Sequence, residues 1–293
     1  MPPGRCVLFE AIVNGLIIGA AYGLLALGFT MVYGLIGLIN FAHGDTYTVG
    51  AVVGLISVSR LHLNYWLSLL VAACACALVA VILERVGFRP LRKHPVGAMI
   101  TSIGLSIVIS NSIALFWGTE PRFFDTPYVG ATIVVGSMGF SVQRLIVFGV
   151  SIVVIGALYA FIRMTYMGKV IRAVSQDYEV AGLMGINFNN IIIVVFAIAG
   201  ALAGMAGVLV SPLAIVAPYI GSSVGLKSFA IVVLGGLGNI EGTIFAAFVV
   251  GLTESLASTF VSSSYADTFV FMLLIIVLLV RPTGIVGEGA GNV

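Results

Sequence analysis

Apolar residues run through this chain in long blocks, separated by short polar clusters. Residues 66–83, 96–116, 145–162, 191–210 and 269–280 are predominantly apolar. The longer blocks approach the roughly 20 residues an α-helix needs to cross about 30 Å of hydrocarbon, so each predicts a membrane helix. The last is short and should draw on residues before it. Residues 11–39 fit no single span. As one straight helix, this stretch of about 29 residues would be about 43 Å long, so it must tilt strongly or break, and Gly34 and Gly37 offer the break. A half span, 49–58, follows. The second half of the chain has a similar plan, in which the apolar stretches 229–234 and 244–252 read as half spans on either side of the Gly-rich stretch 235–242. Paired Gly-interrupted apolar segments are the best sequence pointer to a transporter pathway. The expected fold is an all-α integral membrane protein, a polytopic bundle of about eight to nine membrane segments, two of them broken or re-entrant. Residues 1–293 should form one transmembrane domain.

Charge placement sets the orientation. Arg85, Arg89, Arg92 and Lys93 cluster between two spans, and Arg163, Lys169 and Arg172 cluster two spans later. Cytoplasmic loops are enriched in Lys and Arg, so both loops should face the cytoplasm, as should Arg281-Pro282. Residues 117–144, with Glu120, Arg122 and Asp125, then lie outside. The side taken by the N-terminus depends on whether 34–58 crosses once or turns back.

Composition sharpens this picture. The chain is 60% hydrophobic and 8% charged, whereas soluble domains carry about 25% charged residues. Mean hydropathy is +1.20. The 36 glycines suit close helix packing in lipid. A net charge of +2, without basic runs interleaved with aromatics, excludes nucleic acid as a partner. Cys6, Cys74 and Cys76 make neither a disulfide framework nor a zinc spacing. The apolar run from Ala11 is too long for a signal-peptide core of about 7–15 residues, and reads as the first membrane helix, retained.

Five residues are candidates for a solute pathway. Asn40, His43 and Asp45 form the most polar stretch within apolar sequence. A charge at the bilayer centre costs about 2.5–3.5 kcal/mol on insertion scales, so Asp45 either faces a polar cavity or sits in an interfacial turn. Asn239 and Glu241 occupy the matching place in the second half. Unwound backbone at membrane depth is tolerated only where it is buried or lines water, although a glycine break also lets two helices cross closely. All five are expected around one central cavity.

The loop 163–190 is the longest polar segment. Val174, Tyr178, Ala181 and Met184 fall at helical spacing, with Arg172, Gln176, Asp177 and Glu179 between them. They predict one short amphipathic helix at the cytoplasmic surface, either resting on the interface or docking a partner. Catalytic motifs fail. Gly225-Leu226-Lys227-Ser228 lacks the Walker A spacing, no H-E-x-x-H occurs, and Gly236 and Gly238 do not continue into G-x-G-x-x-G. No cofactor is expected, and any ATP must be hydrolysed by another subunit.

Several stretches together resemble a known family. They are Asn14-Gly15 through Tyr33-Gly34, Leu38-Ile39-Asn40-Phe41-Ala42-His43-Gly44-Asp45, Glu84-Arg85 with Arg89-Pro90-Leu91-Arg92, and Met167-Gly168-Lys169 leading to Gly185-Ile186-Asn187. Ala201 to Pro212, Val233 to Gly242 and Arg281-Pro282-Thr283-Gly284 complete the set. The chain resembles the LivH-type permeases of branched-chain amino acid ABC transporters over nearly its full length. The resemblance implies a multi-pass permease of the bacterial inner membrane, not itself an enzyme. Its implied partners are a second permease of similar fold, two cytoplasmic ATPases, a periplasmic solute-binding protein and membrane lipid. It further implies an ATPase-coupling element at Arg172, Val174, Asp177, Tyr178, Glu179, Ala181 and Gly185, where Glu-x-Ala replaces the Glu-Ala-Ala of many importers. Relatives of the same architecture carry urea, short amides or other amino acids. A passive small-solute channel is the rival reading, but would not need the amphipathic loop.

Overall fold

The computed structural model describes residues 3–126, 128–135 and 138–286. The side chain of Cys6 lies outside the described part. The elements run α1 (Pro3–Ile36), α2 (His43–Ser59), α3 (Tyr65–Leu83), α4 (Pro95–Trp117), β1 (Thr132–Val135), β2 (Met138–Ser141) and α5 (Val142–Met164). They continue α6 (Tyr166–Gln176), α7 (Tyr178–Leu183), α8 (Phe188–Val210), α9 (Ile220–Gly235), α10 (Ile240–Phe260) and α11 (Ala266–Val280). Among the described residues, 7 helices are long and apolar enough to cross a membrane: α1, α3, α4, α5, α8, α10 and α11. Helix α11 reaches 18 residues with the turn that precedes it, Ser263–Val280, whereas α2 and α9 stop at 17 and 16. Among the described residues the bundle is all-α apart from an isolated bridge between Arg122 and Val216 and one hairpin in the connection from α4 to α5, with Thr132 opposite Ser141 and Val135 opposite Met138.

The bundle is organised around α1. Apolar on every side, it belongs in a core rather than at a surface, and 83% of its most apolar window is buried, against 11% for α4 and α11. Leu24, Leu25, Ala26 and Leu27 point to successive sides of α1, and all are buried. Small residues set how closely its neighbours approach. Gly15 and Gly19 lie against Leu252, Gly251 and Ala247 of α10, where a Cβ would collide with backbone. Gly204 of α8 is wedged between Gly50 of α2 and Ala72 and Cys76 of α3 in the same way. Large exposed apolar side chains, including Ile103, Ile107, Leu115, Ile275 and Leu279, cover the outer faces of α4 and α11 as a lipid-facing surface requires.

The two basic loops meet at one end. Arg92 pairs with Glu84 and donates to Asn189 Oδ1 at 2.6 Å, at the start of α8. Arg163, at the end of α5, pairs with Glu241 at the start of α10. By the enrichment of Lys and Arg in cytoplasmic loops this end is assigned to the cytoplasm, an orientation that the thiol-labelling experiment in the Discussion tests. At the opposite end the Arg122 guanidinium lies 4.4 Å from the Trp117 ring centroid, and Arg144 donates to Asn14 Oδ1 at 2.6 Å. Asn14 therefore lies at the outer end, and α1 runs inward from there.

One sequence expectation is met and one changes. Glycine does end α1: Gly37 has φ +63°, a conformation only glycine adopts freely. The chain then turns back into the bundle, since His43 Nε2 lies 3.1 Å from the Leu25 carbonyl. At 1.5 Å per residue, Leu25 is about 16 Å from the α1 terminus at Ile36. Helix α2 thus begins deep inside and runs outward. In the second half the expected half span 244–252 is instead part of α10, which crosses whole. Only α9 is short there, and the expectation failed because 253–260 mixes polar with apolar residues although it continues the helix.

Candidate functional site

Two cavities lie at opposite ends of α1, both lined in part by α1, α5, α9 and α10. The cytoplasmic cavity has a volume of about 740 Å³ and is lined by Thr30 and Gly34 of α1, Tyr159 and Arg163 of α5, Arg172 and Gln176 of α6, and Asn239 and Glu241. The outer cavity, about 540 Å³, is lined by Asn14, Ile17 and Tyr22 of α1, Arg144 and Val147 of α5, Lys227 of α9, Glu254 of α10 and Asp267 of α11. Between them the helices pack directly. A Cβ at Gly23 would sit 3.3 Å from Ile155 Cδ1 of α5 and 3.5 Å from Ala247 Cβ of α10. Nearby, the Thr30 and Thr243 hydroxyls share a hydrogen bond of 2.7 Å.

The structure divides the expected pathway residues. Asn239 and Glu241 line the cytoplasmic cavity. Asn239 caps α10, its Oδ1 accepting the Gly242 N–H at 2.9 Å. Glu241 pairs with Arg163 and accepts from the Tyr159 hydroxyl at 3.1 Å. Asn40, His43 and Asp45 do not line this cavity with them. All three are buried. Asn40 Oδ1 accepts the Ala42 N–H at 3.1 Å, which braces the turn before α2. The His43 ring meets Phe29 edge-on at 5.8 Å. Ser110 of α4 donates to Asp45 Oδ1 at 2.6 Å. The two polar stretches do adjoin through backbone, because Gly34 lies against Gly238. The single cavity around all five residues is therefore corrected. One group lines a cavity, and the other is fixed in the packed interior, where the 37–42 return carries it away from the cytoplasmic end.

The single amphipathic helix over 163–190 is also corrected. It is two helices, because Asp177 adopts extended backbone, φ −155° and ψ 106°, and breaks the run. The Asp177 side chain caps α7 by accepting the Glu179 and Val180 N–H groups at 2.9 and 3.0 Å. Gly185, at φ +81°, follows the end of α7. The break rotates the expected apolar face. Val174 and Ala181 turn into the protein, whereas Tyr178, Val180, Leu183 and Met184 are exposed, Leu183 to 87% and Met184 to 80%. Arg172 Nη1 donates to the Ile162 carbonyl at 2.6 Å and holds α6 beneath α5. Glu179 accepts from the Tyr178 hydroxyl at 3.2 Å and holds that phenol above its ordinary range.

Sequence reasoning missed a cluster at the outer cavity. Lys227 Nζ donates to Asp267 Oδ1 at 2.7 Å, Glu254 Oε1 at 2.9 Å and the Tyr22 hydroxyl at 3.3 Å. The Tyr22 hydroxyl in turn donates to Glu254 Oε1 at 3.1 Å. The signal was present: Lys227 is the single charged residue in 180–240 and Glu254 the single one in 242–266, and an isolated intramembrane charge demands a partner. Among the described residues no three His, Cys, Asp or Glu side chains converge as metal ligands.

A helix bundle with polar cavities at both ends of a central helix, closed between by direct packing of α1, α5 and α10, describes a membrane permease. Comparison with known proteins gives the family. The family described as branched-chain amino acid transport system / permease component matches residues 11–278. The permease protein LivH of the high-affinity branched-chain amino acid transport system of Escherichia coli (strain K12) is 38% identical over 291 residues, 94% of each chain. LivH of Salmonella typhimurium is 37% identical over 289 residues, again 94% of each chain. The corresponding protein BraD of Pseudomonas aeruginosa is 36% identical over 293 residues, 95% of each. No solved structure matches. The chain belongs to the branched-chain amino acid transport permease family, as its sequence motifs implied, and is a multi-pass membrane protein of a non-enzymatic family.

Proposed function

We propose that this chain is the membrane-spanning permease of an ATP-driven importer that carries branched-chain amino acids delivered by a periplasmic binding protein. The observation that carries this reading is the pair of cavities at opposite ends of α1, both bordered by α5 and α10 and closed between by Gly23, Ile155 and Ala247. Alternating access needs two half-channels and a barrier thin enough to shift between them. Gly23 provides such a barrier, since without a side chain it leaves only van der Waals contact to separate.

The rest of the machine follows from the ends of the bundle. The binding protein docks at the outer end, over Asn14, Arg144 and the 117–144 loop. Two ATPases engage the cytoplasmic end, where Tyr178, Val180, Leu183 and Met184 of and beside α7 offer an apolar patch that a groove can take, as amphipathic helices commonly bind. Arg172 ties that element to the cytoplasmic cavity. A second permease of similar fold completes the pathway. Asn239 and Glu241 form the exit, whereas Asn40, His43 and Asp45 brace the return before α2.

The test is leucine uptake into proteoliposomes holding the chain with its second permease and ATPases, with loaded binding protein outside and ATP at the ATPase face. Uptake should require both ATP and binding protein. Uptake that continues without ATP would make the chain a passive channel.

A further inference from the structure

We infer that the outer cavity is a binding site for the zwitterionic head of an amino acid, with Glu254 taking the α-ammonium, Arg144 the α-carboxylate, and the apolar wall the aliphatic side chain. This rests on the importer reading and gives it a place of contact.

The charge count motivates it. Lys227, Glu254 and Asp267 carry one positive and two negative charges, leaving the cluster one negative charge in excess. Lys227 has no donor to spare, because its three N–H groups meet Tyr22, Glu254 and Asp267. The Lys227 and Glu254 side chains are only 9% and 14% exposed. Glu254 Oε1 accepts from both Lys227 and Tyr22, while Oε2 is buried with no partner. A buried carboxylate oxygen without a donor is costly. A cation entering from the adjoining cavity would supply the missing donor.

The rest of the cavity selects which cation. Arg144 lines it from α5, anchored through one guanidinium nitrogen on Asn14 and free to offer others to a carboxylate. Ile17, Ala21, Val147, Val210 and Leu213 line it as well. An anion site, a cation site and an aliphatic wall together describe a hydrophobic α-amino acid. The cytoplasmic cavity has no such arrangement, since its carboxylate, Glu241, already holds Arg163 and Tyr159. A site at the outer end also suits solute arriving from a binding protein.

The experiment measures weak binding to the assembled transporter in detergent, without its binding protein, by saturation-transfer NMR. The probes are leucine, isocaproate, which lacks the ammonium, and isoamylamine, which lacks the carboxylate. Wild type should bind leucine more tightly than either analogue. Glu254→Gln should weaken leucine about tenfold, the scale of one charged hydrogen bond, and leave isocaproate unchanged. Arg144→Gln should weaken leucine similarly and leave isoamylamine unchanged. Leucine binding as in wild type in both variants, or no preference over the analogues in wild type, overturns the inference. Should Glu254→Gln fail to assemble, Arg144→Gln, at the exposed rim, decides alone. Leucine uptake by the complete wild-type system is measured in parallel. Absent uptake counts against the importer reading, whereas intact uptake with unaltered binding in the variants counts only against this site.

Discussion

Replacing Lys227 should destabilise the bundle more than replacing either of its carboxylate partners. In Lys227→Met the ammonium disappears and Glu254, 14% exposed, keeps its charge with only the Tyr22 hydroxyl beside it. Removing one partner of a buried pair costs about 3–5 kcal/mol because the other charge is stranded. The low end applies here. Asp267 is 50% exposed and can turn to water, so its lost contact is worth little. About 3 kcal/mol is more than a hundredfold in the folding equilibrium constant. Glu254→Gln should cost less, since Lys227 retains Asp267. The decisive comparison is the double variant Lys227→Met/Glu254→Gln. With no charge left stranded it should recover more than half of the loss, although it carries more substitutions. The assay is equilibrium unfolding of the purified chain in mixed micelles titrated with SDS, followed by tryptophan fluorescence. A double variant no more stable than Lys227→Met would refute the account, because the loss would then come from packing rather than an unpaired charge.

Gly204→Val should abolish recovery of monodisperse protein, because its side chain would enter the Ala72 carbonyl and Cys76, whereas Gly104→Val, with nothing within 4 Å, should be recovered like wild type by size-exclusion chromatography. Leu183→Glu should strip the ATPases during co-purification while leaving the permease folded. Ala181→Arg, at a buried position, should instead expose α7 to limited proteolysis. In a background lacking native cysteines, a cysteine at Glu120 should react with an impermeant thiol reagent added to intact cells, and one at Lys93 should not.

Most membrane helices were legible because an apolar block of span length has few other fates. The failures share a physical cause: sequence shows polarity but not what satisfies it. Asp45 and Glu241 look alike in the chain, yet Asp45 bonds Ser110 in the interior and Glu241 pairs with Arg163 at a cavity. Ser110 lies 65 residues from Asp45 and Arg163 lies 78 from Glu241, distances over which periodicity says nothing. The loop 163–190 was misread for a local reason. Spacing alone ran one helix through Asp177, but an aspartate whose carboxylate accepts the N–H groups two and three residues on starts a helix as readily as it continues one. Family membership was legible because many short motifs keep their order, even though none states its role.

The central position of α1 bears on how the protein is assembled. The helix that ends up enclosed leaves the ribosome long before its partner α10; Tyr22 and Glu254 are 232 residues apart. For most of synthesis α1 must wait in lipid without its neighbours. It can do so because its middle carries no charge and its glycine face offers no unsatisfied group beyond a helical backbone. The charged helices have the opposite history. Lys227 and Glu254 are 27 residues apart on α9 and α10, so they can enter the bilayer as a hairpin with the ion pair already made, and close onto a helix that is already in place.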